Sequence, residues 1–216
     1  MIEKLIAYTD IKSPYAYLAL APTLNLAAKV GVDVDWLPYT LDIPDYLGDA
    51  ELDAAGNVIR EERTAHQWRR VKYSYMDVRR YANLRGLTIR GHPKIRDTSY
   101  ASMGLLWARR QGMTEEYLNA IFPLFWRREL DVETPTILAD AMAGAGIDIT
   151  GFPDWMAVEG RADHDRLRTE TEAKGVFGVP WFIWRDEMFW GREALPLIRY
   201  RMTGEMPEWG ADLGLA

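Results

Sequence analysis

A chain of 216 residues with 48% hydrophobic, 27% charged and 12% aromatic side chains has the composition of a globular protein with a sizeable core, which excludes disorder and low complexity. Twenty-six Lys and Arg against 32 Asp and Glu leave a net charge of -6, the wrong sign for neutralising a phosphate backbone, so nucleic acid is not an expected partner. No apolar run reaches the roughly 18 residues of a membrane helix, Met1 to Tyr8 is too short for a secretory signal, and the expectation is a cytoplasmic protein without membrane contact.

The chain opens with Ile2 to Tyr8, a β-prone run that stops at the turn-forming Thr9-Asp10. Ser13-Pro14 then starts a run of Ala, Leu and Tyr through Lys29, with Ser as N-cap and Pro in the first turn, where its missing N–H costs nothing. Gly31 ends that helix. Val32 to Leu37 alternates apolar and polar residues, a second strand interrupted by Pro38. Two strands joined by a helix pair in parallel, so the opening reads as β-α-β.

From Asp42 to Ala173 the pattern turns helical, and the segment is expected to be an all-helical insertion. Its periodic blocks are HQWRRVKYSYMDVRRYANLRG, TSYASMGLLWARRQG, TEEYLNAIFPLFWRREL and ETPTILADAMAGAG, with Gly86, Gly112, Gly144 and Gly146 as stops. Thr114-Glu115 and Thr171-Glu172 read as helix starts. Asp49 to Glu62 is the stretch that reads most clearly as a loop, either ordered by a ligand or a surface excursion; Gly56-Asn57 is first of all a turn signal. After Lys174 the β signal returns as GVFGVPWFIW, a polar turn RDE and a short strand MFW ending at Gly191, and Glu193 to Met202 closes the chain as a helix.

The usual carriers of chemistry are missing. There is no cysteine, so a disulfide, a thiolate nucleophile, a Cys metal site and a dithiol cycle made by the chain's own residues are all excluded. His66, His92 and His164 lack the HxxxH or HxxE spacing that puts ligands on one helix face, and no metal is expected. GxGxxG after a strand, GxxxxGK[ST] and GxSxG are absent.

Two local features remain. Ser13 opens a helix, where unpaired N–H groups and the positive end of the helix dipole stabilise an anion; a plain capping role is the alternative. An anion stabilised there can be a thiolate brought by a ligand. Val179-Pro180 is either an ordinary trans proline at a strand start or a cis bond that presents the preceding backbone to an extended ligand. Of Trp36, Trp68, Trp107, Trp126, Trp181, Trp184 and Trp190, most read as core; Trp190 abuts Gly191 beside this candidate site.

The order β-α-β, helical block, β-β-α, with Ser13-Pro14-Tyr15-Ala16 and Val179-Pro180 where such proteins carry Cys-x-x-Cys and a cis-proline, resembles a thioredoxin arrangement. More closely, Asp10-x-x-Ser13-Pro14-Tyr15-x-Tyr17-Leu18, Gly-Val-Phe-Gly-Val-Pro and Phe189-Trp190-Gly191 resemble the 2-hydroxychromene-2-carboxylate isomerase and kappa-class glutathione transferase branch of the DsbA-like thioredoxin superfamily. That resemblance implies an α/β thioredoxin-like domain at 1–41 and 174–216, an inserted helical domain at 42–173, glutathione bound between them, and a homodimer. It also implies that Ser13 hydrogen-bonds the glutathione sulfur and that Val179, before the cis-proline Pro180, pairs its backbone with the cysteinyl unit. Arg192 and Glu193 would face the γ-glutamyl end, with Trp190 alongside. The implied activity is isomerisation of an aromatic or unsaturated carboxylate by thiolate addition, rotation about the resulting single bond and elimination. The alternatives are a kappa-like transferase acting on electrophiles and a non-catalytic ligand-binding protein in which Ser13 is only a cap.

Overall fold

The computed structural model describes residues 3–205. Strand β1 (Lys4–Thr9) runs parallel to β2 (Asp33–Pro38), with Lys4 opposite Asp33 and Thr9 opposite Pro38. On its other side β1 pairs antiparallel with β5 (Trp181–Trp184), and β6 (Glu187–Trp190) forms the edge, giving the order β2-β1-β5-β6. The central position of β1 explains its apolar character: Leu5, Ala7 and Tyr8 are fully buried.

Helix α1 (Pro14–Val30) starts and ends where its sequence dictates. Ser13 accepts a hydrogen bond from the Ala16 N–H at 3.2 Å, and Gly31 closes the helix in the left-handed conformation, φ 75°, with its N–H on Ala27 O. Pro22 lies inside the helix and cannot donate to the Leu18 carbonyl. Arg85 takes that place, its Nη1 donating to Leu18 O at 2.7 Å, so the helix interrupter is matched by a side chain from a distant segment.

Between β2 and β5 lie α2 (Ile43–Leu47), α3 (Ala65–Leu84), α4 (Ser99–Arg110), α5 (Thr114–Arg127), α6 (Pro135–Gly144), α7 (Phe152–Trp155) and α8 (Arg161–Ala173), the last two joined by a π-helical turn at Met156–Gly160. Contrary to the all-helical expectation from its pattern, the segment 42–173 also holds an antiparallel hairpin of β3 (Ala50–Leu52) and β4 (Val58–Glu61). All four β4 residues are exposed, so no alternation of burial marks the strand in the sequence. Asn57 sits in the hairpin turn, its N–H and side-chain amide both donating to Asp53. Thr171-Glu172 is not a helix start but the last turn of α8, where Thr171 is buried. Pro196 belongs to the first turn of α9 (Leu195–Thr203), which follows a single 3-10 turn at Arg192–Ala194.

One continuous core joins the sheet to the helical segment, and aromatic rings set its contacts. Tyr17 of α1 stacks on Phe122 of α5 with centroids 5.1 Å apart, and Trp36 of β2 is 1% exposed. Buried polar side chains pin the same junction. Thr40, just after β2, has its hydroxyl 2.7 Å from Ser102 Oγ of α4 and 2.9 Å from His164 Nε2 of α8, and His164 Nδ1 lies 2.8 Å from Asp165. These bonds hold the helices against the strand end that borders the candidate site.

Candidate functional site

The loop after β1 and the segment before β5 meet beside the N-terminus of α1. Ser13 is 5% exposed, and its Oγ stands 3.5 Å from the Val179 carbonyl oxygen, at the outer limit of a hydrogen bond. Its lone pair is used by the Ala16 N–H while its proton is only weakly engaged, which leaves the hydroxyl able to donate to an anion. The Val179-Pro180 peptide bond is cis. Because β5 begins only at Trp181, the Val179 N–H is not committed to a strand ladder.

Asp10 holds this corner together. Its carboxylate is buried and accepts from Thr98 Oγ1 at 2.7 Å, the Leu41 N–H at 2.8 Å and the Lys12 N–H at 3.1 Å. The Lys12 ammonium lies 3.8 Å from Asp10 Oδ2 and 3.4 Å from the Arg96 carbonyl, with its side chain 8% exposed. A cation is thereby fixed next to the helix N-terminus.

Both features line one cavity of about 1240 Å³, which extends from Ser13, Val179 and Pro180 past α2, α3 and the 91–96 loop to the end of α5. Eight Lys and Arg residues line it against two carboxylates, Asp45 and Glu193, in a chain whose net charge is -6. Aromatic rings supply much of the remaining wall, including Tyr15, Trp68, Tyr75, Phe125 and Trp126. Two groups on the wall are kept neutral. Burial, reinforced by the charge of Asp77, pushes the Tyr15 phenol up to about 12, and its hydroxyl donates to Asp77 Oδ2 at 3.2 Å. Burial lowers His92 to about 4, against the hydrogen bond it gives the Phe125 carbonyl at 3.0 Å. That bond places the His92 proton on Nε2 and leaves Nδ1 as an acceptor.

The residues expected from the sequence distribute as follows. Ser13, Val179, Pro180, Trp190 and Glu193 all line the cavity. Trp190 is 60% exposed and meets Phe177 edge-on at 5.0 Å, forming an aromatic shelf. Gly178 permits this, since a Cβ there would lie 3.1 Å from Trp190 Nε1. Arg192 differs from its expected placement beside a ligand. Its side chain is 2% exposed and is not among the cavity-lining residues, because the guanidinium lies 3.7 Å over the Tyr81 ring. Its Nε donates to Glu193 Oε1 at 3.1 Å, so it orients the carboxylate that does line the cavity. Asn57 lies in the hairpin turn and does not line it. No sequence pattern marks Lys12 or the arginines of the far wall, the one built from α3, the 91–96 loop and the end of α5, and His92 stood out there only as a histidine without metal-ligand spacing; the density of Arg in RRVKYSYMDVRR was the one available signal.

A four-stranded β2-β1-β5-β6 sheet, a capped helix at the end of β1 and a cis-proline before β5 define a thioredoxin-like protein, here one without a thiol of its own. The chain belongs to the DSBA-like thioredoxin domain family, whose model matches residues 4–203. Among its relatives is a 2-hydroxychromene-2-carboxylate isomerase of Sphingobium xenophagum, 26% identical over 199 residues that cover 92% of this chain and 97% of the relative. A protein of the same name from Pseudomonas putida is 26% identical over 212 residues, covering 95% and 97%. A solved 2-hydroxychromene-2-carboxylate isomerase shares the fold with a TM-score of 0.70 at 21% identity, over 92% of this chain and 94% of the other. So does a cytosolic disulfide reductase, DsbM of Pseudomonas aeruginosa, solved with GSH, at 0.60 and 17% over 98% and 96%. No helix among the described residues is long and apolar enough to cross a membrane.

Proposed function

We propose that the protein is a glutathione-dependent isomerase of aromatic or unsaturated carboxylates, of the type for which its relatives are named. The observation that carries this reading is the convergence, on the wall of one basic cavity, of the Ser13-capped helix end and the cis Val179-Pro180 bond in a chain that has no cysteine. A sulfur used there has to arrive with a ligand. A structural neighbour solved with GSH supports the choice of glutathione.

The residues present fit that tripeptide. The Val179 backbone suits an extended peptide, Glu193 suits an ammonium group, and the basic walls suit carboxylates. When bound, glutathione supplies a thiol whose anion adds reversibly to an unsaturated carbon. The chain's part is to hold that sulfur as an anion and to enclose the acceptor. The Ser13 hydroxyl donates toward the sulfur, and the helix end and the Lys12 ammonium favour negative charge there. The aromatic wall, which includes Trp68, Tyr75 and Trp126, lines the space for a flat apolar body. A cavity above the common range of roughly 300 to 1000 Å³ accommodates two small ligands at once.

The test is calorimetric titration with reduced glutathione followed by a spectrophotometric assay of 2-hydroxychromene-2-carboxylate conversion with and without it. The expected result is one-site binding and glutathione-dependent isomerisation, with no glutathione retained in the product by mass spectrometry. A product that keeps glutathione would instead make the protein a transferase, and absence of glutathione binding would refute the reading.

A further inference from the structure

The cavity wall contributed by α3, the 91–96 loop and the end of α5 gathers cations in an unusual way. Arg79 packs its guanidinium 5.3 Å from the Tyr75 ring centroid, and the charges of Arg63 and Arg128 also bear on the Tyr75 phenol. Gly91 lets the ring lie against the loop, since a Cβ there would stand 3.1 Å from its Cε1 and Cζ. Arg128 Nη2 donates to the Gly91 carbonyl. The remaining protein bonds of the group also go to carbonyls, Arg63 Nε to Gly48 O and Arg79 Nε to Ile89 O, each at 3.2 Å.

None of these three arginines has a carboxylate within ion-pair distance among the described residues. Their neighbours do: Lys94 lies 2.9 Å and Arg96 2.6 Å from Glu133. Asp49, whose field reaches Arg63, is already bonded to Arg60. Like charges held together without a counter-charge repel each other, and the structure retains them all the same. Arg128 adds backbone strain. It closes α5 at φ 62°, a left-handed position where glycine is the favoured residue.

We propose that Arg63, Arg79 and Arg128 form a carboxylate site for the non-thiol substrate, whose aromatic body lies among Trp68, Tyr75 and Trp126. A planar guanidinium matches a carboxylate with two parallel hydrogen bonds, and the adjoining rings favour a flat acid over an aliphatic one. The assignment of this carboxylate to the substrate rests on the proposed glutathione-dependent reading. A carboxylate of glutathione itself is the other source of the same chemistry, and the experiment separates the two.

The protein is titrated calorimetrically with 2-naphthoate, with neutral 2-naphthamide and with reduced glutathione, in wild type, Arg128→Gly and Arg79→Gln. The wild type is expected to bind the naphthoate and not the amide. Each substitution should weaken naphthoate by about 10- to 100-fold, the loss of one charge-assisted contact. Glutathione affinity should stay within about twofold, because its sulfur and backbone contacts lie at Ser13 and Val179. Arg128→Gly should also raise the melting temperature by about 2–4 °C by relieving the left-handed arginine, so that lost binding cannot be put down to lost folding. Naphthoate binding unchanged in both variants, equal binding of the amide, or no naphthoate binding by the wild type would overturn the site. A loss of glutathione affinity matching the loss of naphthoate would assign the arginines to glutathione and overturn the proposal too. Absence of glutathione binding with the naphthoate pattern intact would refute the glutathione reading and leave the anion site standing.

Discussion

Ser13 caps α1 and, on the proposed function, also donates to a bound thiol, and a pair of substitutions divides the two roles. Its Oγ accepts the Ala16 N–H at 3.2 Å, a helix cap whose removal to Ala costs about 1 kcal/mol and to Gly only a few tenths. For a chain of this size that lowers the melting temperature of Ser13→Ala by about 3 °C and barely moves Ser13→Gly. On the proposed glutathione-dependent reading its proton, set 3.5 Å from the Val179 carbonyl, is the donor for a bound thiolate. Losing one such charge-assisted bond, about 1.5–3 kcal/mol, raises the thiol pKa by about 1 to 2 units. The assay is ultraviolet thiolate absorbance of protein-bound glutathione as a function of pH, beside turnover at neutral pH. Both variants are expected to shift the titration upward equally and to lose about 10- to 100-fold in rate, although only one loses stability. A Ser13→Gly protein with a wild-type titration and rate would reduce Ser13 to a cap.

Asp10→Asn should destabilise the protein by about 3 kcal/mol: an amide keeps one acceptor oxygen, so when that oxygen serves Thr98 and the Lys12 N–H its NH2 faces the Leu41 N–H, and the Lys12 ammonium loses its buried counter-charge; equal urea midpoints would contradict this. Gly104→Ala should cost about 1–3 kcal/mol by overpacking, since the new Cβ would stand 2.8 Å from the Tyr117 hydroxyl, which is fixed by its 2.6 Å bond to Ala101 O; a melting temperature at or above wild type would refute it. His92 also makes stability depend on pH. Burial depresses it from 6.5 to about 4, so the unfolded chain binds the extra proton between those values, and the stabilisation, complete above about 6.5, is lost as pH falls toward 4. Discounted for partial exposure, the loss is about 2 kcal/mol. Urea melts at pH about 7 and about 4.5 should show His92→Phe losing less over that interval than wild type by this amount.

What could be read from the sequence is what is decided locally. Ser13-Pro14, Gly31 and the β5–β6 turn are set by neighbours a few residues away, and each lies where its pattern placed it. The β3–β4 hairpin escaped because neither strand buries a full face: the β4 residues Val58 to Glu61 are exposed on both sides. Arg192 followed a partner that no local pattern shows, the Tyr81 ring at the end of α3, and its neighbour Glu193 alone lines the cavity. The far wall was hidden for the same reason. Arg63, Arg79 and Arg128 come from three segments, and only the chain path that packs Tyr75 on Gly91 brings them together.

The two neutral groups of the cavity bear on how a reaction there responds to pH. With Tyr15 at about 12 and His92 at about 4, neither changes charge in the range where an enzyme is ordinarily assayed. Arginines, which dominate the far wall, stay charged throughout. On the glutathione-dependent reading, an inflection of the rate near neutrality therefore belongs to the bound thiol, and it moves upward in Ser13→Ala and stays in place in His92→Phe. A profile that loses its inflection in His92→Phe would make His92 a proton carrier and refute a neutral role for it. The acidic side chains that set the net charge at -6 are nearly absent from the cavity, where only Asp45 and Glu193 remain. That separation gives anionic ligands a large basic concavity on an acidic chain, and focuses their approach toward the Ser13 end of α1.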